Sequence, residues 1–148
     1  MAENRSISTF AEMQAANPQG FSALDYVHYA FSENPKCPDF ALTLSQLIFP
    51  SFVEIEGRIL VGSVGAPKKY DEYRAQGQSP QKAQYWANLT EITSLFGGLD
   101  DEALVRSWSS IFEISWSLAL QATRTTQVVR ILKDEVEGEL FITITDAP

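Results

Sequence analysis

Two stretches near the C-terminus decide the fold: Gln127-Val128-Val129-Arg130-Ile131-Leu132 and Leu140-Phe141-Ile142-Thr143-Ile144-Thr145. Both are rich in β-branched residues, and the acidic turn from Asp134 to Glu139 separates them, so together they read as a hairpin. In the second, Leu140, Ile142 and Ile144 share one face while Phe141, Thr143 and Thr145 share the other. That alternation predicts a sheet with one side on the core and one toward water.

Upstream, Asp100-Asp101-Glu102 places three acids at the amide-rich start of a helix over Asp101–Ala122. Leu104, Trp108, Ile111, Phe112, Leu118 and Ala119 form one stripe, and Val105, Trp116 and Leu120 widen it. A helix apolar over so much of its circumference needs cover on more than one side. It is therefore the expected central element, and a second copy of the chain is one candidate cover, giving a possible homodimer.

Ser79-Pro80, an N-cap serine followed by proline at the first helical position, opens another helix. Its expected course runs to about Phe96 and stops at Gly97-Gly98. A short helix is expected over Lys68–Ala75, within a stretch from Gly62 to Pro80 that reads as a surface connection. Further upstream Phe52-Val53-Glu54-Ile55-Glu56 alternates, Gly57 turns the chain, and Arg58-Ile59-Leu60-Val61 resumes an extended pattern, a second hairpin. Three helices come first. Thr9-Phe10-Ala11-Glu12 fits a capping box, and that helix should stop near Asn17, before Pro18. Ser22-Ala23-Leu24-Asp25 opens the next, with Leu24, Val27, His28 and Phe31 on one face and an end near Asn34-Pro35. The third spans Pro38 to Phe49, with Phe40, Leu44, Leu47 and Ile48 at helical spacing. The order predicts an α+β domain, helices packed on a small antiparallel sheet built from two hairpins.

Length and composition bound the rest. The 148 residues, 45% apolar and 20% charged, suit a single domain with its own core. Nineteen acids against eleven bases give a net charge of −8, which repels nucleic-acid phosphates and anionic lipid. One cysteine and one histidine exclude an intrachain disulfide, a cysteine-rich zinc site and any two-histidine metal motif. The start lacks the pattern of a secretory signal, and no apolar run approaches the ~18 residues of a membrane span. With the lone thiol, these features point to a cytoplasmic protein without a membrane partner.

No complete catalytic set emerges. Gly62-Ser63-Val64-Gly65 follows a strand, but Ala66-Pro67-Lys68 replaces the GK[ST] of a phosphate loop, and Val61 stands where a nucleophile elbow needs glycine. His28, Cys37 and Asp39 supply the residue types of a thiol-based triad, yet nothing in their spacing brings them together; a structural histidine and an inert thiol are the simpler reading. Glu54 and Glu56 share a strand face, as an acid–base pair requires, whereas the other acids sit at helix starts and turns where solvation explains them. No metal and no cofactor is implied.

The stretch Lys68–Trp86 interleaves Lys68, Lys69, Arg74 and Lys82 with Tyr70, Tyr73, Tyr85 and Trp86, a mixture that reads either as a helix pair whose aromatics complete the core while the lysines stay wet or as a protein–protein contact, where such mixtures are enriched. The expectation is a non-catalytic, acidic interaction protein: an adaptor, inhibitor or immunity-type binder of another, basic, protein. Its expected contact residues are Tyr70, Tyr73, Arg74 and Trp86 in the aromatic stretch, and Glu135 and Glu137 in the acidic turn. The alternative is a small-ligand protein or minor enzyme with a pocket between sheet and helices, drawing on His28, Glu54 and Asn88 with Trp86 or Trp108 as a stacking wall.

Overall fold

The computed structural model describes residues 8–18, 20–33, 37–96 and 101–148. The chain divides into two compact units, residues 1–44 and 45–148. The fold is α+β, with six α-helices and two small antiparallel sheets among the described residues.

The first unit holds α1 (Phe10–Ala16), α2 (Ala23–Glu33) and the start of α3 (Cys37–Ile48). Its helix starts follow the sequence signals. The Thr9 hydroxyl accepts from the Glu12 amide and the Glu12 carboxylate accepts from the Thr9 amide, a complete capping box. Ser22 and Asp25 repeat the arrangement at α2. Phe10 packs between Phe21 and Tyr26, at centroid distances of 6.2 and 5.6 Å. None of the side chains described in this unit is buried, and Leu24, Val27 and His28 are exposed rather than sunk in a core. The expected helix end at Asn34-Pro35 lies outside the described residues.

In the second unit, β1 (Phe52–Ile55) and β2 (Arg58–Val61) form the first hairpin. Glu56 and Gly57 both take left-handed φ values, 51° and 72°. This two-residue turn matches the right-handed twist of the strands and fixes the register Ile55↔Arg58. The stretch after it is no mere surface connection. α4 (Ala66–Ala75) starts two residues earlier than the sequence suggests, and it buries Ala66 and Tyr70 against Leu60, Ala83 and Ala87. Gly62 serves a close approach there, since a Cβ would fall 2.9 Å from the Ser51 hydroxyl.

α5 (Pro80–Asn88) begins at the Ser79 cap as expected but ends eight residues before Phe96. The Asn88 side chain turns inward, and the β-branched residues after it favour extended backbone. Thr90–Glu91 becomes β3, pairing with β5 (Leu140–Asp146), and a short 3-10 turn over Thr93–Phe96 follows. The expected stop at Gly97-Gly98 lies outside the described residues. With β4 (Gln127–Lys133), the second sheet runs β3-β5-β4 and is entirely antiparallel. The two hairpins thus belong to separate sheets.

Side-chain amides join what no ladder joins. Ile59 and Val61 face away from β1, and there the Asn88 carboxamide accepts from the Val61 amide at 2.9 Å and donates to the Ile59 carbonyl at 2.9 Å. Gln127 accepts from the Ile59 amide at 3.1 Å and donates to the Gly57 carbonyl at 2.8 Å. Gln84 donates to the Ile59 carbonyl at 3.0 Å and to Gln127. Three amides therefore do the work of a missing strand, as buried backbone groups require.

α6 (Glu102–Gln121), capped by Asp101, covers the main core. Its buried face is Val105, Ser109, Phe112, Trp116 and Leu120, packed with Ile59, Val61, Ile92, Ile142 and Ile144. The Trp116 indole donates to the Leu47 carbonyl at 2.8 Å. The stripe read from sequence is therefore split: Phe112 belongs to the core, while Leu104, Ile111 and Leu118, with Ile114, are exposed. The expectation that β5 turns one face to water also fails. Thr143 is buried and donates to the Tyr85 carbonyl at 2.8 Å, so α5 covers that face.

Candidate protein-binding surface

The six expected contact residues fall into three places. Tyr70 is 1% exposed, so its ring is core and only its hydroxyl works at the surface. That hydroxyl donates to the Glu56 carboxylate at 2.6 Å, and Arg74 Nε donates to the same oxygen at 3.0 Å. Arg74 also donates to the Gln78 carbonyl. These bonds, the tyrosine's first, hold the Glu56 carboxyl below its usual range. Burial, then the bond to Glu56, pushes the Tyr70 hydroxyl up to about 12. The group tethers the hairpin tip to α4, and Tyr73 packs beside it against the smaller core cluster.

Trp86 stands apart. It is 43% exposed on α5 and meets Tyr85 edge-on, at 5.1 Å and 88°. Asn88, weighed as a pocket residue, is fully buried and spent on β2, whereas Glu54 is exposed on β1. His28 is exposed on α2, and the Cys37 side chain lies outside the described residues. Among the described residues, no three His, Cys, Asp or Glu side chains converge to hold a metal ion, and no helix is long and apolar enough to cross a membrane.

The third place is the turn between β4 and β5. Asp134 organises it: its carboxylate accepts from the Val136 and Glu137 amides at 2.7 and 2.8 Å, and its carbonyl accepts from Gly138. The two backbone donors hold the Asp134 carboxyl below its usual range. Glu135 and Glu137 remain exposed at the tip, beside Val136 at 91% exposure. Glu139 is pushed above the usual carboxylate range, first by burial, then by the charges of Glu91 and Glu137. The sequence hides Glu91 because Leu89–Phe96 reads as helix; only strand pairing brings it to this cluster. The strand-forming Thr90 and Ile92 on either side were the available signal.

Beside the turn lies a cleft of about 450 Å³ between α6 and the sheet. Val105 and Leu140 supply apolar wall, while Arg106, Lys133, Glu102 and Glu137 bring both signs of charge. Arg106 and Glu102 are well exposed and 3.4 Å apart. No protein-family model, curated protein or solved structure matches the chain.

Proposed function

We propose that the protein is a non-catalytic binding module, an adaptor, inhibitor or immunity-type binder that docks a basic protein through the turn between β4 and β5. The supporting observation is the acidic turn itself, with Glu135 and Glu137 exposed at its tip and Glu139 beside them, whose ionisation is opposed first by burial and then by the charges of Glu91 and Glu137. A cationic partner group set among them relieves that repulsion, and the net charge of −8 steers such a partner in. The lone thiol supports a reducing, cytoplasmic setting.

The test uses wild type and a Glu135→Gln, Glu137→Gln, Glu139→Gln variant as baits in native extract, followed by titration of the retained protein at rising salt. The expected result is a basic protein held by wild type, released by salt and lost from the variant. Equal retention by both baits, or an acidic partner, overturns the reading. The cleft favours a second reading, a small polar ligand held by Arg106 and Lys133. In that case a metabolite co-purifies with wild type and is absent from Arg106→Ala.

A further inference from the structure

The outer edge of β4 is open. The Asp134 amide donates to the Glu139 carbonyl at 2.8 Å, which marks residues 134 and 139 as a pair bonded across the ladder. Counting back by twos turns the backbone groups of Val128, Arg130 and Leu132 toward β5, and those of Gln127, Val129, Ile131 and Lys133 outward. Two independent bonds agree with this parity. The Gln127 amide donates sideways to the Thr125 hydroxyl, and on β5 the Leu140 carbonyl accepts from Ile92 on the far side. Among the described residues, no hydrogen bond reaches the outward groups of Val129, Ile131 or Lys133. Edge strands are ordinarily blunted by proline, a bulge, shortness or charged side chains, and of these β4 carries only Arg130 and Lys133. β4 has seven residues, no proline and an unbroken register.

We propose that this edge pairs antiparallel with the same edge of a second copy, fusing two three-stranded sheets into one of six strands. The three free residues are symmetric about Ile131. A twofold axis there sets Val129 against Lys133 of the other copy and Ile131 against itself, so every free group finds a partner. The charges exclude one neighbouring register, while the match of free backbone groups selects the axis at Ile131. An axis at Arg130 would oppose two guanidinium groups directly, which is destabilising, whereas the Ile131 axis sets Arg130 opposite Leu132. The edge is basic at Arg124, Arg130 and Lys133 and ends in the acidic turn. Antiparallel pairing carries the turn of each copy toward Arg124 of the other; parallel pairing would set acid on acid. A groove of about 200 Å³, lined by Ser117, Leu120, Gln121 and Val129, runs beside the edge and leaves it accessible. The inference does not rest on the turn's reading as a contact for a basic protein, because it is read out by backbone amides.

Light scattering across a concentration series, with amide hydrogen exchange on the same samples, tests it. The expected mass rises from the 16.5 kDa of one chain to twice that value. In step, the Val129, Ile131 and Lys133 amides become protected at high concentration and exchange freely on dilution, while Arg130 and Leu132 stay protected throughout. Val129→Pro deletes an outward donor without touching the β4–β5 ladder and should weaken the dimer about tenfold or more. Lys133→Pro does the same at an exposed position, so a folding defect at Val129 leaves the test intact. A single-chain mass at every concentration, or outward amides that exchange freely in a dimer, overturns the proposal. So does a dimer that survives both prolines and is lost in Leu118→Glu, which would place the contact on α6, and so does protection gained only on adding an extended acidic peptide.

Discussion

Glu56 occupies a left-handed backbone conformation that costs a non-glycine residue on the order of 1 kcal/mol, and its carboxylate is held by Tyr70 and Arg74. The arrangement has two pH signatures. Glu56 is depressed in the folded state, so its contribution is present above the usual carboxylate range and fades as pH falls through its folded value. Tyr70 is raised from 10 to about 12, so its contribution is complete below pH 10 and is lost as pH climbs toward 12. Tyr70→Phe should therefore flatten the stability profile between those two values and make the acid limb shallower, as measured by urea unfolding across pH. At Asn88 the stakes are burial and pairing. Asn88→Ala leaves the Val61 amide short of its acceptor and takes one of the donors from the Ile59 carbonyl, an expected loss of about 2–4 kcal/mol in the same assay.

Among the elements, α6 makes the sharpest contrast. Phe112→Ala opens the main core and should cost about 3–5 kcal/mol, while Leu118→Ala, at 62% exposure, should stay within about 0.5 kcal/mol. The sequence alone placed both residues on one stripe, since Phe112 and Leu118 are nearly as apolar as each other. Only the position of the sheet chooses between them. The capped helix starts are legible because capping is local: Thr9, Ser22, Ser79 and Asp101 each act within three residues, whereas α4 has no side-chain cap and its start is not legible. Nor is the end of α5, because Asn88 stops the helix by bonding to a strand 27 residues away, at Val61. The burial of Thr143 is hidden from the sequence for the same reason; its outward-looking alternation is overruled by the Tyr85 carbonyl. Glu135 and Glu137 could be read as exposed from charge alone, and the core reading of the aromatic stretch holds for Tyr70 but not for Trp86, a division that no spacing encodes.

For the molecule as a whole, the excess negative charge acts on encounter more than on holding. Raising salt from 0.05 to 0.5 M, values that span screening lengths of roughly 14 to 4 Å, should slow association with a basic partner while changing dissociation little, as stopped-flow mixing would show. Docking at the turn should also draw Glu139 back toward its ordinary pKa, with proton release into the solvent. Calorimetry at mildly acid pH detects it as a heat that varies with the buffer's ionisation enthalpy; identical heats in all buffers would exclude contact at Glu139. The three amides that stand in for a strand beside β2 have a consequence for how this protein fails. Gln84 and Asn88 both ride on α5, so a brief melting of that one helix uncovers the flank of β2 while the rest still holds. Gentle warming should accordingly produce clumping of nearly intact molecules before global denaturation, and a tether pinning α5 in place would suppress it.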